Sequence, residues 1–147
     1  MVGFVLTGHG EFATGLASAI DMVAGDQAAF KVVPFSGDAA ATYGDDLKAA
    51  ITAMSDECPE GVLVFVDLLG GTPFNQAMMI SQDVPNMQIV TGTNLPMLIE
   101  LLFLRNGANL SELAENAVTV GQAGISVKSL ESVAGPTVGD MDDEDGI

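Results

Sequence analysis

Residues 62–75 read Val-Leu-Val-Phe-Val-Asp-Leu-Leu-Gly-Gly-Thr-Pro-Phe-Asn. Unbroken apolar residues, stopped first by Asp67 and then by Gly70-Gly71, make a strand covered on both faces, since a half-exposed strand would alternate. The glycine pair turns the chain into a helix carrying Phe74, Met78 and Met79. Thr72 and Pro73 complete that turn. A covered strand handed directly to a helix is the unit of a parallel sheet.

The rest of the chain repeats that unit. Upstream, Val2–Thr7 (VGFVLT) is a buried strand that turns at Gly8-His9-Gly10. Phe12, Leu16, Ile20 and Val23 then recur at helical spacing until Gly25 closes the helix. Phe30–Phe35 (FKVVPF) is another strand, with Pro34 limiting its far end to a terminus or an unpaired position. The spacing predicts a helix over Asp38–Ser55 with Leu47, Ile51 and Met54 on one face. Downstream, Met87–Gly92 is a strand, and Thr93-Asn94-Leu95-Pro96 leads into a very apolar helix through Leu104. Asn109-Leu-Ser-Glu112 has the form of a capping box and opens the last helix. Ile125–Leu130 alternates weakly and is the candidate for a final edge strand. The expected fold is therefore α/β: an open, mainly parallel, doubly wound sheet with helices on both faces. It should occupy residues 1–134 as one domain. From Gly135 the composition changes, and five of the twenty acidic residues fall in the last eight positions. Residues 135–147 are expected to be a solvated, disordered tail.

Twenty acids face only four bases, Lys31, Lys48, Arg105 and Lys128, for a net charge of −16. Such a field argues against nucleic acid and anionic membranes, and would steer basic surfaces of partner proteins toward this one. Solubility alone explains most of these carboxylates. Cys58 is the single cysteine and is read as structural. The amino terminus has neither a charged n-region nor a long apolar core, and the run Leu95–Leu104 is too short to span a bilayer. A cytoplasmic protein is expected.

In an open parallel sheet, sites form at the carboxyl ends of the strands. Thr7–Gly10, Asp67–Asn75 and Gly92–Met97 all fall there, ahead of helix N-termini that favour anions. His9 is the only histidine. A lone histidine is most often structural or merely exposed, but this one stands between Gly8 and Gly10 at a strand-to-helix turn. A neutral imidazole there can take a phosphoryl group. Asp67 has a bland reading as a helix cap. If the first and third strands are neighbours, its carboxylate reaches His9, holds one ring nitrogen and leaves the other free. Gly70-Gly71 with Thr72 has the look of phosphate-binding apparatus, although tight turns need glycine for backbone reasons alone. No P-loop or GxGxxG is present, and no metal-ligand set, so neither a nucleotide cofactor nor a metal is expected.

Gly8-His9-Gly10, Val66–Asn75 and Gly92–Leu98, in that order and at the ends of the first, third and fourth strands, resemble the mannose-family enzyme IIA component of the bacterial phosphotransferase system. The likeness runs from Val2 to about Val133. It implies that His9 is phosphorylated by the phosphocarrier HPr and passes the group to a IIB component for sugar uptake, with the membrane IIC and IID partners engaged only indirectly. It also implies that Asp67 orients His9, that Gly70, Gly71, Thr72, Pro73, Asn75, Thr93, Asn94 and Pro96 line the site, and that the protein is a homodimer. Some family members exchange a carboxyl-terminal edge strand, for which Ile125–Leu130 is the candidate. No IIB domain follows in the sequence, so IIB is expected on a separate chain. The acidic tail has no counterpart in the family pattern.

Three other readings stand beside this one. A related IIA-like carrier feeds dihydroxyacetone kinase. A regulatory module would be read out through the phosphorylation state of His9. A receiver domain would be phosphorylated at Asp67, yet the first strand ends in Thr7-Gly8-His9 where a receiver needs acids for magnesium.

Overall fold

Strand β1 (Gly3–His9) is buried along six of its seven residues, because it has a neighbour on each edge. β2 (Phe30–Phe35) pairs on one side and β3 (Val62–Phe65) on the other, with β4 (Met87–Val90) beyond β3. All pairs are parallel, and the order is β2-β1-β3-β4. The structure is a computed structural model describing residues 1–133. The acidic tail expected over residues 135–147 lies outside the described residues.

Successive strand side chains point to opposite faces. Phe4, Leu6, Leu63 and Phe65 pack with Ile20 of α1 (Phe12–Ala24), Leu98 and Leu101 of α4 (Leu95–Leu104), and Leu113 of α5 (Leu110–Ala123). Val5, Val62, Val64 and Val66 pack on the other face with Leu47, Ile51 and Met54 of α2 (Tyr43–Glu57) and with Ala77 and Ile80 of α3 (Gly71–Ile80). This is the doubly wound parallel arrangement that the alternating pattern predicts. Local signals act as read: Gly25 ends α1 at φ 75°, Asn94 Oδ1 accepts from Met97 N at 3.1 Å, and both hydrogen bonds of the Asn109–Glu112 capping box are present. Pro34 is tolerated because β2 is an edge strand whose second side needs no partner.

Three expectations are corrected. The helix predicted from Asp38 starts at Tyr43, after a 3₁₀ turn at Gly37–Ala39. Nothing between Asp38 and Thr42 is buried, so no core contact holds a helix there until Tyr43. β3 and β4 stop short, because Val66 O is taken by Thr93, whose Oγ1 donates at 2.8 Å. Residues 125–129 form no strand, and a short helix, α6, follows at Leu130–Val133. A strand must give its N–H and C=O groups to a neighbour, and no strand of the described residues takes those of this segment.

At the opposite end of the sheet from His9, Arg105 is almost wholly buried. Its guanidinium donates to Ala29 O at 2.9 Å and to Ala28 O, and lies 5.0 Å from the Phe4 ring centroid. Among the described residues it has no carboxylate partner. The side chain fastens the loop that carries Ala29 at φ 49°, whose carbonyl also accepts from Phe4 N. Arg105→Ala is expected to cost about 2–4 kcal/mol in urea unfolding, from two lost charge-assisted bonds and the loss of Ala28 O's partner, Ala29 O keeping its bond from Phe4 N. A loss below about 0.5 kcal/mol would show the clamp to be idle.

Candidate functional site

In this strand order the chain reverses its winding between β1 and β3, where ligands of open α/β sheets bind. His9 is the last residue of β1, and Asp67 follows β3 by two residues. The adjacency brings them together. Asp67 Oδ2 lies 2.8 Å from His9 Nδ1 and also accepts from His9 N at 2.9 Å, while Oδ1 accepts from Leu68 N at 2.9 Å. An ionised carboxylate only accepts, which assigns the ring proton to Nδ1. Nε2 is left with its lone pair and has no hydrogen-bond partner among the described residues. The histidine side chain is 43% exposed and the aspartate side chain 11%: an accessible nucleophile is held by a sheltered anchor.

Burial pushes the Asp67 carboxyl up. The bonds from His9 N and Nδ1, the charge of His9, and Leu68 N together outweigh it and hold the group below its ordinary 3.8.

Two glycines make this geometry possible by their bareness. A Cβ on Gly8 would lie 3.1 Å from Asp67 Cγ and 2.6 Å from the Phe12 ring. One on Gly71, at φ +81°, would lie 3.0 Å from His9 Cε1 and 3.3 Å from Nε2. Gly71 is also the first residue of α3, so the free N–H groups of that helix start beside Nε2. Gly70 caps the helix, and Thr72, Pro73 and Asn75 follow in its first turns, with Thr72 and Asn75 exposed and Pro73 buried. Gly10 closes the turn after His9 and donates to Phe35 O at 2.8 Å.

The third segment is occupied otherwise. Thr93 is buried with its hydroxyl on Val66 O. Asn94 caps α4 and donates to Gly121 O at 2.9 Å. Pro96 packs where a Cβ on Gly124 would stand. These three shape the end of β3 and the α4–α5 contact, and their side chains are spent there.

Sequence reasoning missed Phe35 and Tyr43, and named Thr7 only as the start of the Thr7–Gly10 segment. The Phe35 ring meets His9 edge-on with centroids 5.7 Å apart, and packs on Tyr43 at 4.7 Å. The Tyr43 hydroxyl and Thr7 Oγ1 are 2.5 Å apart. A signal was available: in a parallel β1–β2 pair, Phe35 stands opposite His9. Among the described residues no three His, Cys, Asp or Glu side chains are grouped to hold a metal, and no helix is long and apolar enough to cross a membrane.

A family model described as PTS system fructose IIA component, EIIA-man, matches residues 3–118. The PTS system fructose-specific EIIA component of Bacillus subtilis is 32% identical over 130 residues, 88% of this chain and 88% of that protein. The PTS system mannose-specific EIIAB component of Escherichia coli is 31% identical over 134 residues, 90% of this chain but 41% of that longer protein. The crystal structure of phosphotransferase system component EIIA from Streptococcus agalactiae matches with a TM-score of 0.76 at 27% identity, covering 86% of this chain and 97% of that one.

Proposed function

The chain belongs to the EIIA-man family of phosphotransferase-system IIA components, and from that premise we propose that it is a cytoplasmic phosphocarrier in which His9 Nε2 takes a phosphoryl group from phospho-HPr and gives it to a IIB component during sugar uptake. The observation that carries this reading is the Nδ1···Oδ2 contact of 2.8 Å between His9 and Asp67, which leaves Nε2 free at the start of α3.

The chemistry balances on these residues. The Nε2 lone pair attacks phosphorus, the N–P bond of phospho-HPr breaks, and that bond's electron pair returns to the donor imidazole. The His9 ring now carries the phosphoryl on Nε2 and a proton on Nδ1, and its positive charge faces the Asp67 carboxylate. The phosphoryl oxygens meet the N–H groups opening α3, with Thr72 and Asn75 at hand. An acceptor side chain on IIB then attacks phosphorus from outside, and the N–P electrons return to Nε2. No protein proton need be lost in either direction. A homodimer that exchanges Ile125–Leu130 belongs to the same reading, supported by exposures of 75% at Ile125, 94% at Val127 and 86% at Leu130.

Discharge tests the destination. Phosphorylated protein, freed of HPr, is expected to lose its phosphoryl group to an added IIB component and to keep it in the presence of dihydroxyacetone kinase with bound nucleoside diphosphate. The reverse pattern would assign it to the kinase system. Retention with both, alongside a protein that binds only the phosphorylated form, would make it a regulatory module.

A further inference from the structure

A protein that reaches His9 Nε2 must also cover the surface around it. An interface of ordinary size buries about 800 Å² on each side, a disc of roughly 16 Å radius. Helix α3 starts beside Nε2, and at about 1.5 Å per residue Met79 stands about 12 Å further along its axis. We propose that the uncharged outer face of α3 and of the loop before it, from Leu68 and Leu69 to Met78 and Met79, is where the phosphoryl donor docks, and that this donor presents an apolar patch bordered by lysine or arginine. The inference rests on the phosphocarrier reading and adds to it the surface and the partner chemistry.

From Leu68 to Gln82 no residue carries a charge, in a chain whose net charge is −16. Helix periodicity decides which of these residues meet water. Pro73, Ala77 and Ile80 are buried against the sheet, so Thr72, Asn75, Met78 and Met79 face outward. Ahead of the helix Leu69 is 77% exposed, and at its far end Met79 is 61% exposed. Large apolar side chains left in water beside a reactive group mark a protein contact, and methionine adapts its shape to a partner. The other helices that open near His9 differ: α1 and its cap expose Glu11, Thr14 and Ser18, and α2 exposes Asp45 and Asp46. A groove of about 430 Å³ runs between α2 and α3, lined in part by Met79, Ile80, Asp45 and Asp83. Lys48 Nζ lies 3.5 Å from Asp83, whereas Asp45 has no basic partner among the described residues. An apolar wall with an unpaired carboxylate fits the stem and the charge of a lysine or arginine. Glu11, two residues past His9, and Asp38, just past its ladder partner Phe35, extend the acidic border and steer a basic partner toward the site.

The test offers two donors to one histidine. Phospho-HPr has to dock, whereas phosphoramidate, which releases ammonia as its N–P bond breaks, is small enough to reach Nε2 without covering α3. With phospho-HPr, Leu69→Ala and Met79→Ala should each raise KM about tenfold and leave kcat within about twofold of wild type. Met79→Lys should raise KM about a hundredfold and Met79→Glu by less, because a lysine also repels the basic border of the donor. Met22→Ala, at an exposed site of α1, should match the wild type. Phosphoramidate should label His9 at the wild-type rate in every variant. A wild-type KM in Met79→Lys, a larger loss in Met79→Glu than in Met79→Lys, or a parallel loss with phosphoramidate would overturn the inference and leave the carrier reading standing. A wild-type protein labelled by phosphoramidate but not by phospho-HPr would instead remove the carrier reading, and the docking face with it.

Discussion

His9→Ala is expected to accept no phosphoryl group from phospho-HPr while melting within about 2 °C of the wild type. The imidazole is the only histidine side chain in the protein, so no second nitrogen of that kind can substitute. Its removal leaves the fold little changed. The ring is 43% exposed, and the backbone N–H of residue 9 keeps its bond to Asp67 Oδ2. The hydrophobic layers on both faces of the sheet do not include it. Mass spectrometry after charging, with a thermal melt on the same sample, reads both halves. Wild-type labelling of the variant would place the acceptor elsewhere, and collapse of the melt would make His9 a structural residue.

Asp67→Ala should leave the acceptor nitrogen in place and slow its phosphorylation roughly a hundredfold or more, toward the ~10⁴ that an orienting carboxylate behind a reactive histidine supplies in hydrolytic triads. Three hydrogen bonds vanish at once, from His9 N, His9 Nδ1 and Leu68 N, and the charge facing the phosphorylated ring goes with them. Asp67→Asn separates these contributions, because an amide oxygen can still accept from a backbone N–H but carries no charge. The pH dependence has a definite sign. A carboxyl held below its ordinary 3.8 in the folded protein stabilises it fully above that value, and the contribution is lost as pH falls through the lower folded value. The gap in melting temperature between wild type and Asp67→Asn should therefore narrow in acid. Stopped-flow transfer rates for Asp67→Ala equal to wild type would reduce the residue to a turn cap.

What was legible in the sequence was what periodicity writes locally. Val62–Phe65, the helix of Phe12, Leu16 and Ile20, the glycine ending it, and the Asn109–Glu112 cap each depend on residues within a turn or two. The His9–Asp67 contact spans 58 positions, yet it is foreseeable once the first and third strands are placed side by side, because His9 ends β1 and Asp67 stands two residues past β3. The remainder depended on partners that no local pattern reveals. Tyr43 begins α2 because its hydroxyl meets Thr7, 36 positions away. Arg105 reads as one charge in a polar turn, and only the fold sets it against the carbonyls of Ala28 and Ala29. Thr93 and Asn94 lie in a motif of the site, but their polar atoms go to Val66, Met97 and Gly121. The alternation of Ile125–Leu130 predicts a strand, and among the described residues it pairs with no sheet edge.

The most direct measurement mixes the purified protein with enzyme I, HPr and phosphoenolpyruvate, beside His9→Ala and a sample lacking HPr, and records intact mass. The account predicts one added phosphoryl group, labile in acid and stable in base as a phosphohistidine is, absent from both controls. A folded wild-type protein that gains no mass, or one that His9→Ala matches, would contradict it.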